Sequence, residues 1–515
     1  MAARCRLPLA AALVALLLHG EAFLPSVPRS QLQPRSALVA GVGCTAHPQA
    51  PARAERTARF AWPGLLAAGG AAALVLRQVA QRLGSNDSAL RDLIARHTNV
   101  VIVDDFEAAG KPVTSPTVPK PRCRGETSED VHWYVGPGAK DLPPVRWIIK
   151  KPSVLQRVLL EGGLGFAESY MDGDWDTDDL ERLVFEMLKL ENVRSELGWR
   201  VLPLVSMIFW GALKWKVLPG NSLKGAQSNI ANTYDVLNSP KLYEIMLGRT
   251  MQYTCGYYAR PDMTLDEAQE AKMDLIAKKL DLKPGMKCLE FGFGFGAQAH
   301  YLASKYGVHV TGATLSREQM AWAEEHNSHP NIEYRYQDYR EVTGKFDRIY
   351  SVGMFEHVGR NSYETFFDKC YDLLKDDGIM LIHAMGWARR GPWNHNAFVN
   401  KYIFPGGEMP TMSHMTMEYS DRWHMEDWHS FGKSYVMTLR CWLDRVRDWK
   451  GLDELDNRFR RMWVYYLLAC SAAFERRRVK LWQIVYTKLS GDRPDDCMHI
   501  RNESYSKEMA ASSAL

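Results

Sequence analysis

The sequence predicts an α/β chain, and three observations predict it. From about Leu282 onward, short apolar runs alternate with stretches of helical periodicity, as in a sheet flanked by helices. A glycine-rich loop, Glu290-Phe291-Gly292-Phe293-Gly294-Phe295-Gly296-Ala297, directly follows the first run and precedes a helical stretch. Hydrophobic content of 46% against 24% charged residues is that of a globular protein with a core.

The amino-terminal region reads as targeting sequence rather than fold. Arg4 and Arg6 precede the apolar run Leu7–Leu18, and His19–Glu21 give a polar break, the layout of a signal peptide. Five arginines then sit in a Ser/Ala/Pro-rich stretch, with Glu55 the only acid between Phe23 and Arg77. Residues 1–85 are therefore read as a leader similar to the bipartite leaders of algae with complex plastids. Plain secretion or an endomembrane anchor is the alternative. Phe60–Leu76 reaches only the lower edge of a membrane-spanning length. Nine cysteines, odd in number and without a CxxC pair, fit reduced thiols better than a disulfide framework.

Residues 86–130 contain Pro112, Pro116, Pro119 and Pro121 without periodicity and read as a linker. A small domain is expected over 131–200. Within it a helix over Val154–Leu160 is broken by Gly162-Gly163, Gly165–Trp175 is dense in turn residues and aromatics, and Asp178–Leu190 has amphipathic helical spacing. The apolar stretch Val201–Leu218 suits either an interfacial helix or a buried interdomain connection, so 201–225 is taken as a linker. A catalytic domain follows over 226–490, then a polar tail over 491–515.

In that domain strands are expected at Lys287–Phe291, Val308–Thr314, Ile332–Tyr336, Phe346–Val352 and Gly378–Ala384. Helices are expected at Gly296–Lys305, Ser316–Asn327 and Ser362–Leu374. A Trp-, His- and Met-rich insertion follows Gly386, and the chain ends with a helix around Asp456–Glu475 and a strand over Lys480–Tyr486. This is a Rossmann-like arrangement. Gly292, Gly294 and Ala297 even satisfy the G-x-G-x-x-A dinucleotide fingerprint, but the second strand ends in Thr314-Leu315-Ser316, without the acid that would hold a nicotinamide cofactor's ribose. Gln319 lies one helical turn on, and the acid Asp338 follows the third strand beside Tyr339, a placement that favours S-adenosylmethionine.

Several segments make the likeness specific. Gly165–Trp175 nearly matches G-L-G-E-S-Y-M-D-G-x-W, Tyr234-Asp235 with Asn238 looks like H-Y-D-x-G/S-N, and Met251–Tyr257 is similar to M-Q-Y-S-C-A-Y. Ser351–Gly359 matches S-V-G-M-F-E-H-V-G without a change, and Asn400–Pro405, Glu426–His429 and Leu481–Gln483 match N-K-Y-I-F-P, E-D-W-H and L-W-Q. In these motifs the chain resembles the cyclopropane-fatty-acyl-phospholipid synthase family, with the mycolic-acid cyclopropane synthases, from roughly residue 150 to 487. It departs where the family's G-C-G-W-G reads Gly-Phe-Gly-Phe-Gly, and at Thr233 and Leu237.

The resemblance implies a seven-stranded S-adenosylmethionine-dependent methyltransferase fold with a small N-terminal α+β or helical domain. It implies transfer of a methylene to the cis double bond of an unsaturated phospholipid acyl chain at a membrane surface, through a carbocation deprotonated by bound bicarbonate. Catalytic roles fall on Cys255, Glu356, His383 and Tyr466, with the backbone near Met385 completing the anion cradle; Tyr465 is the alternative to Tyr466. Cofactor contacts fall on Tyr253, Thr254, Gly292, Gly294, Gly296, Thr314, Leu315, Gln319, Asp338 and Tyr339. A homodimer is in keeping with the likeness. A net charge of +4 without a concentrated basic face argues against nucleic acid, and His395, His414, His424 and His429 match no metal-ligand spacing. Rival readings are a lipid methyltransferase yielding methylene- or methyl-branched chains, a sterol-type olefin methyltransferase, a non-catalytic lipid-binding protein, and, most distant, an oxidoreductase.

Overall fold

The computed structural model describes residues 87–108, 143–192, 240–388, 396–416, 422–447, 449, 451 and 455–489. The leader with Phe60–Leu76, the Pro-rich part of the linker, Val201–Leu218, Thr233–Asn238 and the tail from Arg493 lie outside the described residues.

The first described part is a three-stranded sheet with four helices. These are α1 (Asp87–His97), β1 (Val100–Asp104), β2 (Val145–Ile149), α2 (Ser153–Glu161), α3 (Gly163–Met171), β3 (Trp175–Thr177) and α4 (Leu180–Met187). β2 is central, parallel to β1 and antiparallel to β3. Two expectations are corrected here. Residues 87–104 are not linker: Leu90, Leu93 and Ile94 bury one face of α1, and β1 completes the small sheet. Gly165–Trp175 is not a run of turns but mostly helix. Gly165 packs so closely on α2 that a Cβ there would lie 2.5 Å from the Arg157 carbonyl oxygen. The Trp175 indole donates to the Phe166 carbonyl at 3.1 Å and the Ser169 hydroxyl at 3.0 Å, tying β3 to α3.

The larger part runs α5 (Pro240–Leu247), α6 (Leu265–Lys279), β4 (Lys287–Phe291), α7 (Ala297–Tyr306), β5 (His309–Thr314), α8 (Arg317–His326), β6 (Ile332–Tyr336), β7 (Phe346–Val352), α9 (Tyr363–Leu373) and β8 (Leu374–Trp387). Then come α10 (Ala397–Tyr402), α11 (Met412–Thr416), β9 (Trp423–Ser430), α12 (Gly432–Arg447), α13 (Asn457–Glu475) and β10 (Val479–Lys488). The seven strands order as β6-β5-β4-β7-β8-β10-β9, with β4 to β8 parallel and β10 antiparallel to both its neighbours. This is the Rossmann-like methyltransferase sheet. Its central strands read as apolar runs because helices cover both faces.

Helix starts are written into the sequence. Thr264 and Glu267 form a reciprocal capping box on α6, while Ser316 and Asp456 cap α8 and α13 through their side-chain oxygens. β8 departs from expectation: it begins at Leu374, and a register shift between Phe346 and Arg348 of β7 accommodates the exposed Lys375-Asp376-Asp377. The Trp/His/Met-rich insertion contributes an edge strand, β9, and the long helix α12.

One apolar core runs from Trp147 and Trp175 of the small sheet to Trp442 on α12 and Trp463 on α13. The fully buried Arg461 of α13 joins the two parts, donating to the carbonyls of Tyr170 (2.6 Å) and Trp175 (2.9 Å) and to Asp176 (2.8 Å).

Candidate active site

A cavity of about 140 Å³ opens at the carboxyl ends of β4 to β7, where ligands bind in open α/β sheets. Gly292 and Gly294 line it after β4, Thr314 and Leu315 after β5, Asp338 and Tyr339 after β6, and Gly353 and Met354 after β7. Met251–Thr254 close it from the side, and Gln319 reaches it from α8. The tight loop explains the glycines. Gly292 has φ 75°, and a Cβ there would sit 2.6 Å from the Met354 Cβ. Gly296 is placed differently from the expectation: it is not on the cavity wall but at the N-cap of α7. There φ is 83°, and a Cβ would meet the Tyr334 hydroxyl at 2.5 Å. Its constraint is helix–strand packing.

The cavity wall holds polar groups awaiting a partner. Both amide atoms of Gln298 and the hydroxyl of Tyr339 are buried without a hydrogen bond. Gln298, on the first turn of α7, escaped the sequence reading because it falls just past the last position of the glycine-loop fingerprint, Ala297, and carries no charge. The carboxylate of Asp338 is already engaged: Arg340 Nε and Nη2 reach its two oxygens at 2.7 and 2.8 Å. Glu290, at the cavity floor, accepts from the Tyr350 hydroxyl at 3.0 Å, and burial pushes its carboxyl up to about 8.

A second, drier cluster lies beside the cavity. Glu356 sits on the short 3-10 turn Phe355–His357 after β7, and the next residue, His357, lines the cavity. Oε1 of Glu356 accepts from the backbone N–H of Met385 at 2.6 Å, whereas Oε2 is buried without a partner. Burial pushes this carboxyl up to about 7, against the pull of that N–H. Met385 N–H, expected in the anion cradle, is thus given to Glu356 itself.

His383 on β8 stands opposite Gln483 on β10 in the strand register. The Gln483 amide nitrogen lies 3.2 Å from Nδ1; in this amide orientation it donates there, which assigns the imidazole proton to Nε2. Nε2 is buried and has no partner. Burial, then the charges of Lys272, Lys279 and His429, hold the imidazole well below its usual range, hence neutral.

Cys255 is fully buried. Its thiol donates to the Gly256 carbonyl at 3.1 Å and accepts from Thr438 Oγ1 at 3.8 Å, and burial pushes its ionisation upward. The Tyr466 hydroxyl meets that of Tyr253 at 3.1 Å. Tyr465 turns the other way, its ring 6.0 Å from Tyr170 and 4.9 Å from Phe398. Tyr435 on α12, which sequence reasoning missed, is close enough to Cys255, Tyr253 and Glu356 for their charges to raise its hydroxyl's pKa, after burial. Phe404 and Trp442 add their rings beside Tyr253, at 6.1 and 5.3 Å. The four expected catalytic residues do not line the cavity; Tyr466 meets its wall through Tyr253, and Glu356 directly precedes the wall residue His357.

Comparison with known proteins shows the family. Residues 221–484 match the model of the mycolic acid cyclopropane synthetase family. The chain is 40% identical over 344 residues to the cyclopropane-fatty-acyl-phospholipid synthase of Escherichia coli K12, covering 66% of this chain and 87% of that one. It is 34% identical over 300 residues to cyclopropane mycolic acid synthase 2 of Mycobacterium bovis, covering 52% and 97%. Among solved structures, a cyclopropane synthase of Mycobacterium tuberculosis superposes with a TM-score of 0.48 at 27% identity, covering 50% of this chain and 97% of that one. The chain belongs to the mycolic acid cyclopropane synthetase family and is an S-adenosylmethionine-dependent enzyme of the methyltransferase fold.

Proposed function

We propose that the chain is a cyclopropane-fatty-acyl-phospholipid synthase, adding a methylene across the cis double bond of an unsaturated acyl chain in a membrane phospholipid. The observations that carry this reading are two buried groups without a partner, Glu356 Oε2 on the turn after β7 and His383 Nε2 on β8.

The cavity fits S-adenosylmethionine. The glycine loop leaves room for its backbone approach, the orphaned Gln298 and Tyr339 offer hydrogen bonds, and Tyr253, Thr254, Thr314, Leu315 and Gln319 complete the wall. When bound, it supplies an electrophilic methyl carbon. The cluster fits bicarbonate: His383 Nε2–H is a spare donor, and Glu356, which keeps its proton up to about neutral pH, offers a hydrogen to an anion rather than a second negative charge. Cys255 and Tyr466 would complete its surroundings, and the ion would supply the base.

The chain's own residues do the rest. Tyr253, Tyr466, Tyr435, Phe404 and Trp442 pack ring against ring beside the cavity, an aromatic environment that would exclude water and stabilise a carbon-centred cation. Glu356 holds its proton at Oε2, and Gln483 keeps the His383 proton on Nε2.

The test is lipid mass spectrometry on a bacterial host that lacks cyclopropane lipids, expresses this chain and is fed methyl-labelled methionine. A labelled CH₂ gain on monounsaturated chains with ring-specific fragments, lost in Glu356→Gln, is the expected result. The same gain without a ring would replace this reading by methylene or methyl branching. No labelled lipid from a chain that binds the cofactor would point to a sterol-like olefin.

A further inference from the structure

The segment Met251–Tyr257 serves both halves of the site at once. Tyr253 and Thr254 face the cofactor cavity, and Cys255 lies in the dry cluster. Yet the segment is neither helix nor strand, and it begins with Met251 at φ 47°, a left-handed conformation uncommon for a residue with a side chain. Irregular backbone buried this way must find its hydrogen bonds elsewhere.

Several come from one face of α6, while Gly256 N–H donates to Thr438 Oγ1 of α12 at 3.0 Å and Met251 N–H to the Gly248 carbonyl at 3.1 Å. Tyr257 N–H donates to the Ala268 carbonyl of α6 at 2.8 Å. Gln269 Nε2 donates to the carbonyls of Thr254 (2.8 Å) and Gln252 (3.4 Å). Lys272 Nζ donates to Gln252 Oε1 at 2.5 Å and Thr254 Oγ1 at 2.7 Å. Ala268, Gln269 and Lys272 form one stripe of α6, and the Gln269 and Lys272 side chains have no exposed surface.

Lys272 is the costly member of this stripe. Taking an ammonium wholly out of water is unfavourable unless it is well paired, and no carboxylate forms an ion pair with it among the described residues. A methionine would fill the same volume at less cost. Burial pulls the Lys272 pKa down to about 7, so the charge is held up to about neutral pH, where it acts on Glu290 on the cavity wall and on Cys255 and His383.

We propose that Lys272 is a positioning residue: by clamping Gln252 and Thr254 from α6 it sets the cofactor-side wall and carries Cys255 into register with the dry cluster. This rests on the reading of the cavity as the S-adenosylmethionine site. Lys272 itself does not line the cavity and acts through Thr254 and Gln252.

The experiment measures S-adenosylhomocysteine affinity by calorimetry on the full chain, with thermal melts alongside, for wild type, Lys272→Met, Lys272→Arg, Thr254→Val and Lys272→Met/Thr254→Val. Lys272→Met is expected to melt cooperatively and to bind about tenfold more weakly, the scale of a lost charge-assisted hydrogen bond. Lys272→Arg, which keeps the donors, should recover part of the affinity. In the Lys272→Met background Thr254→Val should cost less than it does in wild type, because the Lys272 bond it removes is already gone and only its own contacts with Gln252 and the cofactor side remain to be lost. Undiminished affinity in a folded Lys272→Met, or fully additive losses in the double variant, would overturn the assignment. If Lys272→Met does not fold, Thr254→Ser against Thr254→Val decides. Affinity kept by Ser and lost by Val supports the clamp, and equal affinities overturn it. A chain that binds S-adenosylhomocysteine normally and makes no cyclopropane would sink the proposed substrate while leaving Lys272 standing. Failure of the wild type to bind would overturn both.

Discussion

The hydroxyls of Tyr253 and Tyr466 lie 3.1 Å apart although 213 residues separate them in the chain. Tyr253 is on the cofactor cavity wall and Tyr466 is on α13, the helix that also holds the small sheet through Arg461. The contact therefore links the cofactor side of the site to the element that docks the amino-terminal part. Tyr465, its neighbour, is spent on that docking instead.

The two tyrosines should separate cleanly in mutants. Tyr466→Phe removes a buried hydroxyl beside the proposed cluster, and turnover is expected to fall by about tenfold or more, roughly 1.4 kcal/mol in the barrier. S-adenosylhomocysteine affinity should move far less. Tyr465→Phe keeps its ring among Phe166, Tyr170 and Phe398 and should leave turnover within about twofold of wild type, inside the usual range for a conservative core change. Equal losses from both variants in a labelled-methyl turnover assay would contradict the placement of Tyr466.

Glu356 makes a prediction about stability and pH. Burial lifts its folded pKa to about 7 from an ordinary value of 4.5. A carboxyl raised in this way adds stability fully below its unfolded pKa, and that contribution is lost as pH climbs through the folded one. Wild type should therefore lose on the order of 3 kcal/mol between roughly pH 4.5 and pH 7 relative to Glu356→Gln, which cannot ionise. Melts of both proteins across that window check it. Parallel curves would mean that Glu356 ionises normally.

The glycine loop separates steric from conformational cost. Gly292→Ala places a methyl 2.6 Å from the Met354 Cβ at φ 75°, so both overlap and left-handed strain apply, and a loss of about 2–4 kcal/mol in stability is expected. Gly294→Ala, at φ 55° with nothing within 4 Å of the added methyl, should cost only about 1 kcal/mol, the left-handed penalty alone. Because Gly294 faces the cavity, its variant should still bind cofactor more weakly. Chemical denaturation with and without S-adenosylhomocysteine distinguishes the two effects.

Much of this was legible in the sequence, for identifiable reasons. β4 and β7 are buried along almost their whole length and so appear as apolar runs bounded by turn residues, and Ser316 and Asp456 mark helix starts by their capping chemistry. β9 was hidden because an edge strand with one wet face, Trp-His-Met-Glu-Asp-Trp-His-Ser, carries charge along its length. α1 was hidden by the prolines that follow it. In the site, the choice between Tyr465 and Tyr466 could not be read, since adjacent helical residues point about 100° apart and only packing tells which faces inward. Lys272 and Gln269 were invisible for a related reason: in Glu-Ala-Gln-Glu-Ala-Lys-Met-Asp a buried polar stripe has the composition of a solvated one.

The His383–Gln483 pair offers the sharpest electrostatic test. With the Gln483 amide nitrogen facing Nδ1 at 3.2 Å, the imidazole proton is kept on Nε2, which is buried without a partner. Gln483→Glu preserves the shape but reverses the chemistry, because an ionised carboxylate can only accept. The neutral imidazole would then move its proton to Nδ1 to satisfy that acceptor, or become protonated on both nitrogens beside the new negative charge. Losing the donor at Nε2, or gaining a charge there, should lower turnover by about a hundredfold, the scale of a mispositioned acid–base group. Gln483→Leu, which leaves Nδ1 without a partner but imposes no acceptor, should lose less. Nitrogen chemical shifts of the His383 ring read the tautomer directly. An unchanged Nε2–H in Gln483→Glu together with full activity would show that the β10 side chain does not govern the proton on His383.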